Sequence, residues 1–472
     1  MIPSQDPRDQ AALQGIAARF QAGDIGGADA AATAFLAQQL PPERQLPGLM
    51  WRATCANRRG DFAAARDHLL AARHIQRRDP QLLVQLGAMH DRLHELPQAE
   101  ACYREALRLE PRLPLAHYNL GVVLQQRQDK PGARRAFEAA IAHAPQFHQA
   151  WLNLGNVCRQ LNDDARAKDC YRRAIDIAPN FALAHHALGV LAQTHGQHAV
   201  AVACFRAALQ ADAHHLESWL DLVESLERLQ DCEGAIATVG EAQRFHPADA
   251  TLQFKRKVLT GEQAPSMPDA VVEKLFDHMA PTFDEHLVGR LGYGVPKQLS
   301  ALLADWFAAR GPVAVLDLGC GTGLFGMEIA TAKSRLVGVD LSARMVEAAR
   351  ARGVYDDLHV ASIDAYLAAH AEMFDLIVAT DVLVYVGALE AMFACVRAQM
   401  NAGGRFAFST ESPAALVEGF QLMPTGRYAH SHAYVRTLAA ANGFEVVTQD
   451  PAVIRTEANL PIEGFVFVLA AR

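Results

Sequence analysis

The chain has 472 residues, 51% of them hydrophobic and 20% charged, with a formal net charge of −8. That is an ordinary soluble composition, too long for a single core, so two or more domains are expected. No basic surplus points to nucleic acid, no apolar run of about eighteen residues points to a membrane span, and the polar start MIPSQDPRDQ lacks a signal peptide's apolar centre.

The first half is periodic. Ala65, Ala99, Ala133, Ala167, Ala201 and Ala235 lie 34 residues apart, as do Ala72, Ala106, Ala140, Ala174, Ala208 and Ala242. Between them Leu69, Tyr103, Phe137, Tyr171, Phe205 and Val239 keep one position large and apolar. Gly87, Gly121, Gly155 and Gly189 form another column, and Pro111, Pro145, Pro179 and Pro247 close units, since proline cannot continue a helix. A 34-residue period with this small and large pattern resembles the tetratricopeptide repeat (TPR). Units are read at 46–79, 80–113, 114–147, 148–181, 182–215 and 216–249, with a degenerate one at about 9–42, where Gly23-Asp24 matches Gly60-Asp61. The resemblance implies an all-α solenoid of helix pairs over residues 1–260, with the ring at the large position filling the gap between units. Its concave face would bind a protein or peptide. Asn119 and Asn153 share the sixth repeat position, and an amide can bond both backbone groups of a peptide. They are the candidate contacts. His117 and His185 share a column with Trp151 and Trp219 and read as packed side chains rather than metal ligands.

The eight cysteines contain no CxxC pair, and most fall in helical patterns. That suits a reducing cytoplasm, with no disulfide and no metal site expected. Gly261 to Pro268, GEQAPSMP, reads as the linker between domains.

The second half, residues 265–472, turns on VAVLDLGCGTGLFG, Val313 to Gly326. An apolar run ends in a glycine-rich turn and a helix from Leu324 to Ala330, the opening of a nucleotide-binding α/β domain. Further apolar runs end at Asp340, Asp364 and Thr380-Asp381, and Arg405–Phe408 follows a turn at Asn401–Gly404. The spacing predicts alternating strands and helices. Gly321-x-Gly323-x-x-Gly326 also satisfies a dinucleotide fingerprint, so a dehydrogenase is the competing reading.

The order DLGCGTG, VDLS, SIDA, FDLIVATDV, GGRFAFS resembles the class I S-adenosylmethionine-dependent methyltransferases. Gly443–Val447 and Gly464–Leu469 fit that family's closing antiparallel hairpin on a Rossmann-like sheet. The segments FDHMAPTFDEHL, DVLVYVG and GRYAHS resemble a bacterial group that fuses TPR arrays to such a domain. The resemblance implies S-adenosylmethionine as cofactor. Asp317 with the Gly319, Gly321 and Gly323 backbone would hold its methionine end, Asp340 its ribose, and Leu341, Met345, Ile363 and Asp364 its adenosine. Helices before the first strand, carrying Phe276, Phe283, Leu287 and Leu291, would close the pocket.

For the acceptor, Asp381 and Tyr385 lie where ligands bind such sheets. Arg427 is placed to receive a carboxylate or phosphate, and His430 is the candidate general base for a hydroxyl. No motif of base methylators is present. A methyltransferase whose array recruits a protein partner or substrate is the expected function. The alternatives are a small-molecule methyltransferase with the array serving assembly, and a cofactor-binding scaffold without turnover.

Overall fold

The computed structural model describes residues 6–38, 40–457 and 460–472. They fall into two compact units, residues 1–230 and 231–472. The first holds thirteen helices. Helices α1 (Pro7–Gln21), α2 (Ile25–Leu36), α3 (Pro42–Arg58), α4 (Phe62–Ile75), α5 (Pro80–Arg92) and α6 (Leu96–Leu109) come first. Then follow α7 (Pro114–Gln126), α8 (Lys130–His143), α9 (His148–Gln160), α10 (Asp164–Ile177), α11 (Ala182–Thr194), α12 (His198–Ala211) and α13 (Leu216–Arg228).

Three columns of the repeat explain why these helices form and pack. Asp24, Asp61, Asp129 and Asp163 each cap the second helix of a pair, accepting from a backbone N–H in its first turn. The tight turn before that cap needs a left-handed residue. Gly60, His94, Gln128, Asn162, Gly196 and Gln230, 34 residues apart, all have φ between 58° and 79°. The third column is the glycine of the first helix. A Cβ on Gly155 would lie 2.5 Å from the Tyr171 ring, and one on Gly121 2.6 Å from Phe137. The large ring therefore sits over the glycine of its own unit.

Units are joined by polar bonds at fixed offsets. His117 Nε2 lies 2.9 Å from the Pro111 carbonyl, and His185 Nε2 2.8 Å from that of Pro179. Trp151 and Trp219 donate their indole N–H to Pro145 and Ala213 at 2.9 Å. A carbonyl only accepts, so each histidine carries its proton on Nε2. Both are packed, ring-donor residues.

The second unit opens with α14 (Cys232–Phe245) and α15 (Ala250–Thr260), then α16 (Asp269–Met279) and α17 (Val295–Arg310). The expected linker, 261–268, is not a free tether. Gly387 and Ala388 donate to the Pro265 carbonyl at 2.8 and 2.9 Å, Met267 donates to Tyr385 at 2.9 Å, and Ala264 and Met267 are buried. Its apolar side chains and its backbone groups find partners on the sheet domain, which holds it down.

The α/β part runs β1 (Val313–Leu318), α18 (Leu324–Glu328), β2 (Lys333–Asp340), α19 (Ala343–Ala351), β3 (Asp357–Val360), α20 (Ile363–Ala369), β4 (Phe374–Ala379). It continues with α21 (Glu390–Ala398), β5 (Met400–Glu411), β6 (Phe420–Leu422), β7 (Tyr428–His430), α22 (His432–Ala441), β8 (Phe444–Glu457) and β9 (Leu460–Ala471). Strands β3-β2-β1-β4-β5 are parallel neighbours, β9 lies antiparallel to β5, and β8 antiparallel to β9. The short β6–β7 ribbon meets β5 at Glu411 and Ala429. Strand β3 stops at Val360, before Asp364, because Ser362 caps α20 and starts a helix there. The expected turn at Asn401–Gly404 is absorbed in β5 as a register shift.

Gly155→Ala should destabilise the array by about 1–3 kcal/mol through overpacking. Gly240→Ala, with nothing within 4 Å of its Cβ, should be neutral or stabilise by up to about 1 kcal/mol. Thermal melting followed by helical circular dichroism separates the two.

Candidate active site

The strand order reverses between β1 and β4, so the loops leaving them diverge and open a crevice at their carboxyl ends. The β1 turn is fixed from β2. Gly319 and Cys320 donate to the Val339 carbonyl at 2.8 and 3.0 Å, and Gly321 donates to Asp340 Oδ2 at 2.8 Å. Gly319 adopts φ 67° with a Cβ position that Val382 would fill, so only glycine serves there. The other Asp340 oxygen accepts from Ser342 N–H at 2.9 Å, and burial raises this carboxyl above its usual range.

One pocket is lined by Gly319, Gly321, Asp340, Leu341, Ile363 and Asp364, and by Asp381 and Tyr385. Eight of the candidate residues thus converge. The helices before β1 cover it, as expected: Phe276, Phe283 and Leu287 line the same space. Two aspartates stitch them down. Asp284 accepts from Thr322 Oγ1 at 2.5 Å and pairs with Arg352, while Asp277 accepts from Ser342 Oγ at 2.5 Å. The strapped segment also contributes, through Ser266 and Met267.

Five candidates lie elsewhere. Asp317 is fully buried behind the loop, outside the lining, and accepts from the Tyr355 hydroxyl at 2.7 Å. Burial pushes its carboxyl up to about 7, with a smaller push from the Asp340 charge. Gly323 packs on Tyr355, and the Met345 side chain, on α19, is wholly buried and outside the lining. Arg427 is turned inward: it lies 3.5 Å from Glu411 and its guanidinium sits 5.7 Å from the centre of the Tyr385 ring. An internal carboxylate occupies the charge expected for a substrate. His430, on β7, is completely buried, with Nε2 3.0 Å from the Gly387 carbonyl and Nδ1 without a partner among the described residues. It braces the β6–β7 ribbon and does not face the pocket.

Other residues here escaped the sequence. Tyr293 lines the pocket, and its buried hydroxyl lies near the Thr380 side chain. Arg455, 1% exposed, reaches Asp381 Oδ1 at 3.2 Å and also bonds Glu411. Asp381 itself holds φ 55°, left-handed for a non-glycine, and donates its N–H to Ser409 Oγ at 3.1 Å. Burial pushes the Tyr385 hydroxyl up to about 12, so it stays protonated.

In the array, Asn119 and Asn153 are half-buried. Asn153 Nδ2 donates to the Tyr118 hydroxyl at 3.1 Å, and Asn119 bonds the Tyr103 hydroxyl. Each therefore ties its unit to the one before. All eight cysteines are free thiols. No helix among the described residues is long and apolar enough to cross a membrane.

Comparison with known proteins finds likenesses in both halves of the chain. A methyltransferase domain model matches residues 316–406. Tetratricopeptide repeat models match 114–147, 148–181 and 186–250, and a TPR repeat model 92–128. The ubiquinone biosynthesis O-methyltransferase of Aromatoleum aromaticum is 31% identical over 120 residues, 24% of this chain and 51% of that protein. The malonyl-[acyl-carrier protein] O-methyltransferase of Legionella pneumophila is 33% identical over 133 residues, 26% of this chain and 45% of that protein. The chain spans about half the length of these curated relatives. Magnesium protoporphyrin IX methyltransferase from Synechocystis, solved with bound S-adenosylmethionine, is 17% identical, covers 44% of this chain and 100% of its own, and has a TM-score of 0.33.

Burial pushes His430 down to about 4, against the backbone hydrogen bonds of Gly387 and Val386. Below its unfolded value of about 6.5, the unfolded chain takes a proton that the folded chain refuses. His430 should therefore cost stability as pH falls from about 6.5 to about 4, by on the order of 3 kcal/mol at full extent. His430→Asn should lack that slope when melting temperature is measured across this window.

Proposed function

We propose that the chain transfers a methyl group from S-adenosylmethionine to an acceptor at the carboxyl edge of its sheet, and that the repeat array recruits the protein that bears or delivers that acceptor. S-adenosylmethionine is the cofactor. The observation that carries this reading is the fixed glycine turn with Asp340 beside it in the pocket. Asp340 accepts the ribose hydroxyls, Leu341 and Ile363 border the adenine, and Asp364 accepts its amino group. The backbone of Gly319 and Gly321 receives the methionine end. The sulfonium loses its charge as methyl moves in line to a nucleophile, so the domain gains mainly by positioning and by excluding water. The cover of Phe276, Phe283 and Leu287 supports that role. The free thiols support a reducing, cytoplasmic setting.

A second reading, a small-molecule methyltransferase whose array serves assembly, draws on the relatives. One is named for ubiquinone biosynthesis.

Titration calorimetry should show micromolar binding of S-adenosylmethionine and none of NAD. Asp340→Ala should weaken it about 10- to 150-fold, from lost charge-assisted hydrogen bonds of roughly 1.5–3 kcal/mol. Unchanged affinity would remove Asp340 from the ribose site. Asn119→Ala with Asn153→Ala should leave cofactor affinity intact and lower the recovery of a co-purifying partner by at least about tenfold, a loss of about 1.4 kcal/mol. An unchanged set of partners would move the docking surface elsewhere on the array.

A further inference from the structure

The deep end of the pocket, beyond the glycine turn, has a chemistry of its own. Thr380, Asp381 and Tyr385 come from the carboxyl end of β4, and Tyr293 from the segment before α17. Behind them lies a buried cluster of opposite charges. Arg455 holds Asp381 Oδ1 at 3.2 Å and bonds Glu411, and Arg427 stands 3.5 Å from Glu411. These four described residues bring two positive and two negative charges, which cancel.

We propose that this end takes an uncharged hydroxyl on an apolar body, and that Asp381, fixed by Arg455, accepts the hydroxyl's hydrogen bond; the inference rests on the methyltransferase reading above. Three physical points lead there. An acceptor that arrives as a carboxylate must shed water, and among the described residues every charged one in the lining is acidic. An ammonium acceptor meets a carboxylate already neutralised by Arg455. A neutral O–H asks only for a hydrogen-bond acceptor, which Asp381 offers, and for an apolar wall, which Phe276, Phe283 and Leu287 offer. The Tyr293 hydroxyl is buried, lines the same space and lies near the Thr380 side chain. A phenolic hydroxyl both donates and accepts, so it has capacity left for a ligand's hydroxyl there.

Backbone geometry agrees. Asp381 is held left-handed at φ 55°, with its N–H on Ser409 and its carboxylate on Arg455. A non-glycine residue keeps that conformation where its surroundings impose it, and such sites cluster at ligands. In the step itself an oxygen lone pair forms the new C–O bond. The methyl C–S bond breaks, its electron pair returns to sulfur, and the O–H proton passes to the Asp381 carboxylate and on to water. Arg455 is a positioning residue in this scheme.

Three probes with one apolar body separate the head groups: 4-tert-butylcatechol, 4-tert-butylbenzoate and 4-tert-butylbenzylamine. Each is offered to the full chain with S-adenosylmethionine labelled at the methyl group. The catechol should be methylated and the other two not. Asp381→Asn should lower kcat at least ~100-fold, with cofactor affinity unchanged. Tyr293→Phe, a conservative variant that should fold, should lower kcat/KM about tenfold. Arg455→Met should move the acid limb of the pH–rate profile upward, since Asp381 loses the cation that favours its charged form; a merely structural role would not move that limb. Preferred methylation of the benzoate or the benzylamine overturns the proposal, as does Tyr293→Phe with full activity. Cofactor binding with none of the three methylated also overturns it and leaves the methyltransferase reading standing. No cofactor binding overturns that reading itself.

Discussion

The α/β half depends on one cross-strand lock. The turn after β1 gives its first N–H groups to the carbonyl of Val339 and a further one to Asp340, both at the end of β2. A glycine-rich turn alone is soft, because glycine has many conformations to lose. Tying it to the neighbouring strand removes that freedom before any ligand arrives. The same lock decides which acids face the pocket. Asp340 is turned toward the loop and the pocket, whereas Asp317 is turned behind it, onto Tyr355. The Asp340 charge is near enough to disfavour the charged form of Asp317, and the raised Asp317 carboxyl reflects this after its burial.

The solenoid rests on a different constraint, the pairing of no side chain with a large one. Gly87, Gly121, Gly155 and Gly189 leave room for Tyr103, Phe137, Tyr171 and Phe205. Both columns were legible in the sequence because they repeat every 34 residues. The left-handed turn column was not. Its members, His94, Gln128, Asn162 and Gln230 among them, share a backbone angle and no side-chain chemistry, so composition carries no trace of it. Turn geometry imposed by flanking helices outweighs the small preference each residue has for another conformation.

A similar split runs through the candidate site. Gly319, Gly321, Asp340, Leu341, Ile363 and Asp364 line the pocket because motif and strand end determine their position together. Residues chosen for their chemistry alone fared differently. His430 and Arg427 sit in a long polar segment, but that segment forms the β6–β7 ribbon and turns both inward. Arg455 was hidden for a geometric reason. A register shift in β8 between Val453 and Arg455 breaks the alternation of faces, so Ile454 and Arg455 are both buried. No two-residue periodicity would place an arginine there.

Residues 261–268 carry this argument into the domain organisation. Two prolines and a glycine read as a spacer, because such residues end helices. Yet a spacer is free only if its backbone groups are left to water. Here Pro265 receives two N–H groups from the loop after Tyr385, Met267 gives its own to Tyr385, and Gln263 receives that of Leu422. Phe254 and Val258 of α15 join Met267, Val384 and Tyr385 in one apolar cluster. Tyr385 thus presents one side to the pocket and is packed on another by residues that belong, by sequence period, to the end of the helical repeats. The wall of the pocket is set by packing from α15 and the strap as much as by the sheet, so a methyltransferase domain cut at the apparent linker would lack part of the surface that shapes its own acceptor end.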